Sequence, residues 1–341
     1  MHTEELSYNM YLHWAILNEC NYSCNYCNAS PRKGVPDNID IPRVIRRLEE
    51  LNTTALITFT GGEPFLVPNF VEFAHEVTKK HYIRIDTNLS LTKSCERFLN
   101  LIDPNRVFEI TFSVHILERM KRKLEMSELS ILVKRFQEKG FNIVGSYVVY
   151  PPLLGRIEND VNFFKTQGIE IRPTLYIGKF DEKNYPLTRD ACTYSDNEMN
   201  LISRLNPNAK TKIDKRKNLP CQAGTSAFFI TPDYDVFPCI TIRRKLGNFF
   251  DEWKTFSKVI RCSVDYCFCP FNRPFSTSLA TQQHIQLLQK TMSEKGVFSI
   301  LESRLFVTGL YPWLLDILPH LLYRLRIRRG ISQGLLKKKF L

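Results

Sequence analysis

The first 175 residues alternate between short β-rich runs and longer amphipathic stretches, and this rhythm constrains the fold more than any other feature of the chain. Strands are predicted at 11–18 (YLHWAILN), 55–60 (ALITFT), 82–86 (YIRID), 107–113 (VFEITFS), 141–149 (FNIVGSYVV) and 168–174 (GIEIRPT). Helices are predicted near 40–52, 69–80, 92–102, 125–139 and 157–167. In the fourth of these, Leu129, Leu132, Val133 and Phe136 recur at helical intervals, and Gly140 supplies a stop. Strands separated by helices pair in parallel through right-handed crossovers. Six strands fall short of a closed eight-fold barrel, so the expected class is α/β, a partial (β/α)6 TIM-like barrel. Chemistry in such barrels sits on loops at the C-terminal ends of the strands.

Beyond the barrel the pattern changes. Residues 176–220 are polar and irregular, with Pro186, Pro207 and Pro220 around one predicted helix near 195–204. The expected organisation is a barrel over 1–180, a linker over 181–220, a small β-hairpin module over 221–278 and a helical, basic tail over 279–341. A hydrophobic fraction of 43% with 24% charged residues is that of a globular chain with a core, which argues against disorder.

Ten cysteines occur, and the N-terminal stretch MHTEELSYNMYLHW lacks the basic and apolar regions of a signal peptide. The expectation is a reducing, cytoplasmic setting, where clustered cysteines more often hold metal than form disulfides. Eight of the ten fall into two groups. The first, CNYSCNYC, places Cys20, Cys24 and Cys27 just after the first strand in C-x3-C-x2-C spacing. Three thiolates this close can hold three irons of a four-iron cube and leave the fourth open to a ligand. Structural zinc prefers four ligands in paired spacing, and His2 and His13, the nearest histidines, do not supply it.

CNYSCNYC resembles the signature of the radical S-adenosylmethionine (SAM) superfamily, with an aromatic residue, Tyr26, before the third cysteine. The resemblance implies a SAM-binding [4Fe–4S] cluster on Cys20, Cys24 and Cys27, with Tyr26 near the adenine. TGGEP at the end of the second strand is similar to the family's GGEP motif, which assigns Gly61, Gly62, Glu63 and Pro64 to the amino group of SAM. Asp86-Thr87-Asn88 closes the third strand where relatives carry TNG; here the sequence is TNL. Asn88 is read as a contact to the SAM ribose or substrate, or as a turn former. Ser113 ends the fourth strand, where the resemblance implies a bond to the SAM carboxylate or ribose. His115 follows, as a polar substrate contact or a structural histidine. Arg172 on the sixth strand needs an anionic partner: the SAM carboxylate, a substrate acid, or a plain salt bridge.

The second group begins with CQAGTSAFFITPDYDVFPC, in which Cys221 and Cys239 flank a predicted hairpin, and continues with CSVDYCFC, which adds Cys262, Cys267 and Cys269. This region, with LGNFFDEW, resembles the SPASM/twitch auxiliary-cluster module of radical SAM enzymes. Five cysteines suit one second, auxiliary [4Fe–4S] cluster, on Cys221, Cys239, Cys267 and either Cys262 or Cys269. Structural zinc fits the ligand count nearly as well. Some radical SAM sugar epimerases use a cysteine to return a hydrogen atom; Cys192, Cys262 or Cys269 could serve, or be a spare thiol.

The net charge of +12 favours anionic partners without choosing among them. Residues 305–323 are apolar but broken by Pro312, Asp316, Pro319 and His320, a poor spanning helix. A basic run follows from Arg324 to Lys339. The pair suggests either peripheral contact with the anionic inner face of a membrane or a helix packed on the barrel with a solvated end. No nucleic-acid partner is expected. The resemblance implies reductive cleavage of SAM, fed by a flavodoxin- or ferredoxin-type electron donor, and abstraction of a hydrogen atom from a substrate. The substrate expected is a sugar, cyclitol or similar small molecule, oxidised or epimerised. The alternatives are a peptide or protein maturase and a non-catalytic zinc-binding protein.

Overall fold

The structure, a computed structural model of the 341-residue chain, describes residues 8–27, 34, 36–185, 194–206, 214–215, 220–242, 244–258, 260–263 and 266–267. For 184, 214, 215, 220, 266 and 267 the description is of backbone alone. Cys192, Cys269, the Cys267 side chain, much of the predicted linker and the whole tail over 279–341 lie outside the described residues.

The predicted strands form six consecutive strands of one open sheet. Strands β1 (Met10–Leu17), β2 (Ala55–Gly61), β3 (Tyr82–Thr87), β4 (Val107–Ser113), β5 (Ile143–Val149) and β6 (Ile171–Leu175) pair in chain order, each parallel to the next. Helices α1 (Ile41–Glu50), α2 (Phe70–Thr78), α3 (Thr92–Leu101), α4 (Ile116–Lys121), α5 (Met126–Glu138) and α6 (Ile157–Lys165) lie in the crossovers. Gly140 ends α5 with φ +91°, and the Phe141 N–H returns to the Phe136 carbonyl, the closing bond of a Schellman stop. Gly168 does the same for α6: its φ is +73° and the Ile169 N–H reaches the Phe164 carbonyl. That is why β6 starts at Ile171 rather than at 168. The short helix α4 was not predicted, because six residues are too few to show a period.

One face of the sheet packs on the helices through an aromatic core that includes Trp14, Phe59, Phe73, Phe98, Phe112, Phe136 and Phe164, each 2% exposed or less. The other face alternates with it along each strand. On this inner face the register aligns His13, Thr58, Arg84 and Glu109 in one row. A second row aligns Ser113, Ser146 and Arg172.

Two differences from expectation concern the second half. Residues 176–185 are not a free linker. Gly178–Phe180 and Lys183–Tyr185 form an antiparallel hairpin, and Tyr176, Tyr185 and Tyr194 are buried in the main core beside Tyr150. Helix α7 (Asp196–Leu205) follows, with Ser195 and Glu198 forming a reciprocal capping box. The cysteine-bearing hairpin is also not a separate layer. Strands β7 (Ala227–Ile230), β8 (Asp235–Phe237) and β9 (Gly247–Asn248) extend the barrel sheet to nine strands, in the order β9-β8-β7-β1-β2-β3-β4-β5-β6. Strand β7 lies parallel to β1, with Tyr11 opposite Ala227 and Trp14 opposite Ile230. An open edge on β1 offers unpaired backbone groups, and β7 satisfies them.

The LGNFFDEW stretch straps this extension to the barrel. Phe249 packs 4.9 Å from Trp14 between ring centroids. From α1, the Arg47 Nε donates to the Phe249 carbonyl at 2.6 Å and its Nη2 to the Asp251 carbonyl at 2.8 Å. Arg43 lies over the Phe250 ring and Arg47 over the Trp253 ring.

Candidate active site

Strand β1 runs out at Leu17 and delivers the chain into a loop that carries Cys20, Cys24 and Cys27 at the C-terminal mouth of the barrel. Cys20 and Cys24 are half-buried and Cys27 is exposed. The loop is held from three sides. From the end of β2, the Gly62 N–H donates to the Leu17 carbonyl and the Glu63 N–H to the Glu19 carbonyl. From the end of β3, the Asn88 side-chain amide donates to Asn21, whose own amide donates to Ser90 at 2.7 Å. From α4, Glu118 accepts the Ser23 N–H, and Arg122 donates to the Asn21 carbonyl and lies over the Tyr22 ring.

The two glycines of GGEP are needed for this approach. Gly61 has φ +127°, and a Cβ there would stand 2.3 Å from the Leu17 carbonyl oxygen. At Gly62 a Cβ would stand 1.7 Å from the Glu19 carbonyl oxygen. What the glycines let close is thus the segment leading to Cys20. Pro64 opens a single 3-10 turn. Glu63 is buried, and its carboxylate accepts from the Phe65 N–H, the Thr87 hydroxyl and the Asn88 N–H, the last at 2.6 Å. Burial pushes its pKa up to about 7, against the pull of these hydrogen bonds. Glu63 joins the ends of β2 and β3. Asn88 is buried too, and its carbonyl accepts from Arg119. The next residue, Leu89, adopts φ +52°, the left-handed conformation usual for the glycine that this chain lacks.

Tyr26 and His115 stand against Cys24. The His115 Nδ1 is 3.3 Å from the Cys24 sulfur and 3.1 Å from the Tyr26 hydroxyl. The Tyr26 ring stacks on the imidazole and the Tyr22 ring meets it edge-on. His115 is the residue before α4 and has φ +48°. Burial, aided by Arg119, lowers its pKa to about 4, so the ring is neutral. Burial also pushes the Cys24 thiol up to about 12, with further contributions from Glu118, Cys27 and Cys20.

The Cys24 thiol, whose ionisation burial and its neighbours disfavour, fits a polycationic iron core, which favours thiolates. Among the described residues, no three His, Cys, Asp or Glu side chains are arranged to hold a single metal ion. A cubane takes one thiolate per iron, so its ligands surround a larger body than one ion. Cys20, Cys24 and Cys27 are the residues that fit that group here.

The inner face of the sheet continues from this loop. Arg172 is committed to carboxylates of the chain: Nη1 to Glu109 at 2.9 Å and Nε to Glu170 at 2.6 Å. This favours the plain salt bridge of its sequence readings over a SAM contact. Arg84 pairs with Asp86 and Glu109 and donates to Thr111. Ser113, at the end of β4, and Ser146, in the middle of β5, are half-buried on the same face.

The second cysteine group lies at the other end of the strands. Cys221 and Cys239 pack against Tyr11, Leu56, Ala223 and Ala227. Cys221 pairs in register with Ile260, two residues before Cys262. The Cys267 backbone pairs with Asp214. Tyr11 begins β1 and Leu17 ends it, so about 20 Å of strand separates the two regions.

Several residues of the site were not legible as such in the sequence: Asn21, Ser90, Glu118, Arg119 and Arg122. The one available signal was the Glu118/Arg122 pair at i,i+4 spacing, which the structure joins as an ion pair.

Comparisons with known proteins agree with this geometry. Residues 14–164 match the family model described as Radical SAM superfamily. Over 128 residues the chain is 30% identical to GTP 3',8-cyclase of Actinobacillus pleuropneumoniae serotype 5b, a match covering 35% of this chain and 36% of that protein. Over 116 residues it is 30% identical to 7-carboxy-7-deazaguanine synthase of Methanothermobacter thermautotrophicus, covering 33% and 46%. The chain therefore spans less than half the length of these curated relatives. Among solved structures, native anSMEcpe with bound AdoMet and Kp18Cys peptide aligns with TM-score 0.52 and 17% identity over 71% of this chain and 78% of that one. Native anSMEcpe with bound AdoMet gives TM-score 0.51 at the same identity and coverage. Identities this low speak to the fold alone, which is the parallel-sheet partial barrel. The similarity to the radical SAM superfamily thus covers residues 14–164, which carry the three clustered cysteines and the GGEP motif.

Proposed function

We propose that the chain reductively cleaves SAM and directs the resulting radical to a polar small molecule held against the inner face of the barrel. The observation that carries the reading is the placement of three cysteine thiols on one loop at the C-terminal mouth, braced by β2, β3 and α4. A [4Fe–4S] cluster held there would supply one electron to SAM, whose cleavage would give methionine and a 5′-deoxyadenosyl radical able to take a hydrogen atom from the substrate. The residues of the chain bind, orient and shield. Cys20, Cys24 and Cys27 would hold the cluster. The backbone of GGEP and Asn88 lie beside the cysteine loop, Tyr26 offers an aromatic ring, and Ser113 and Ser146 offer hydroxyls on the inner face.

The substrate class is read from the lining. The half-buried Asp86, Thr111, Ser113 and Ser146 on the inner face suit a hydroxyl-rich metabolite such as a sugar or cyclitol. Cys221, Cys239, Cys267 and either Cys262 or Cys269 are proposed to hold an auxiliary [4Fe–4S] cluster, able to take an electron from a substrate radical. A flavodoxin or ferredoxin is the proposed donor.

The test is anaerobic reconstitution with iron and sulfide, reduction with dithionite, and measurement of 5′-deoxyadenosine and methionine. The parent chain is expected to form both. Replacing Cys20, Cys24 and Cys27 together by alanine should abolish both products, and undiminished cleavage in that variant rejects the reading. Bound zinc without iron in protein purified anaerobically would instead identify a zinc-binding protein. Deuterium transfer from labelled sugars or cyclitols into 5′-deoxyadenosine would support the substrate class, and transfer from a peptide alone would replace it.

A further inference from the structure

The contact between His115, Tyr26 and Cys24 does work that binding SAM does not explain. A histidine in the left-handed region, φ +48°, is uncommon, and the backbone here holds it with two interactions. The Arg119 N–H donates to the His115 carbonyl, and the Arg119 Nε donates to the carbonyl of Val114. The imidazole is then clamped between the face of Tyr26 and the edge of Tyr22, 5.8 and 5.6 Å between centroids. All of this aims one nitrogen, Nδ1, at the sulfur of Cys24.

A thiolate ligand carries negative charge, and a nitrogen lone pair directed at it from 3.3 Å is repelled, so the proton belongs on Nδ1. The Tyr26 hydroxyl sits 3.1 Å from the same nitrogen and also hydrogen-bonds the Cys24 side chain, to whose sulfur it has its own proton to offer. Cys24 thus has two donors facing it. Hydrogen bonds to the sulfurs of an iron–sulfur cluster stabilise its more negative, reduced form and raise its potential.

We propose that His115 is a positioning residue for the first cluster: with Tyr26 it donates to the Cys24 thiolate and makes that cluster easier to reduce. This rests on the reading that Cys24 is a cluster ligand.

The experiment is a mediated redox titration of the reconstituted full chain, followed by electron paramagnetic resonance. The first cluster is identified as the one whose reduced signal changes on addition of SAM. At a fixed poise near the parent midpoint, His115→Leu should lower the ratio of reduced to oxidised first cluster about tenfold, equal to 59 mV for one electron. His115→Asn keeps a side-chain N–H near the place of Nδ1 and tolerates the left-handed backbone, so it should stay within about threefold of the parent. Tyr26→Phe should fall between the two. A ratio in His115→Leu equal to the parent's, with iron content retained, overturns the proposal. If His115→Leu does not take up iron, Tyr26→Phe decides: an unchanged ratio there overturns it equally. Failure of the underlying reading looks different, since Cys24→Ala would then keep the SAM-responsive signal.

Discussion

Single positions at the mouth of the barrel show how a motif read as ligand-binding also serves the backbone. Gly62 faces the Glu19 carbonyl so closely that any Cβ must displace it. Gly62→Ala should therefore push the Cys20 segment off the end of β2. Iron retained at the first site is expected to fall severalfold while far-ultraviolet circular dichroism is preserved. Glu63 makes a pH-dependent contribution. Its folded pKa, about 7, lies above the ordinary 4.5, so its share of stability is greatest below pH 4.5 and is lost as pH rises through 7. A shift of that size corresponds to roughly 3 kcal/mol. Denaturant unfolding of the cluster-free chain between pH 5 and 8 should show the parent losing stability relative to Glu63→Gln across that interval. Leu89 teaches a different lesson. The glycine of TNG is missing from the sequence, yet its conformation is present, at a cost of about 1–2 kcal/mol offset by burial of the leucine side chain.

Helices α1 and α4 are the elements whose roles pattern alone did not reveal. The sequence of α1 shows an amphipathic helix; the structure shows its arginines gripping the strap at 249–253. Arg47→Ala removes two hydrogen bonds to carbonyls and a cation–π contact, so it should cost about 1–3 kcal/mol in urea unfolding. The spacing of the first-site thiols is not expected to change, and iron uptake at that site should persist. Helix α4 is too short to be found by periodicity, but it carries Glu118 and Arg119 and ends into Arg122, and these three fix the cysteine loop and the end of β3. Its short length follows from its use: it begins at His115 in the left-handed region and ends where Arg122 turns back over Tyr22.

At the scale of the molecule, the nine-stranded sheet makes the second cysteine group continuous with the barrel. Cys221 and Cys239 lie against the start of β1, and the first group lies just past its end. With the proposed auxiliary cluster in place, replacing Cys221 and Cys239 by alanine should lower iron from about eight to about four per chain. Cleavage of SAM in the absence of substrate should survive, because the first loop is braced by β2, β3 and α4 and not by the hairpin. Among the described residues no helix is long and apolar enough to cross a membrane.

The strands of the barrel, their order of alternation with helices, the stop at Gly140 and the three-cysteine loop were all legible from residue type and spacing. Each depends on interactions within a few residues of the chain: pleat alternation, helical period, turn geometry and thiolate chemistry. What only the tertiary structure decided were contacts between segments far apart in sequence. The pairing of β7 with β1, the commitment of Arg172 to Glu109, the convergence of His115 on Cys24 and the bracing of Asn21 by Asn88 have no local signature. They arise because closing the crossovers brings the strand ends to one mouth, where side chains must satisfy one another's charge and hydrogen bonds out of water.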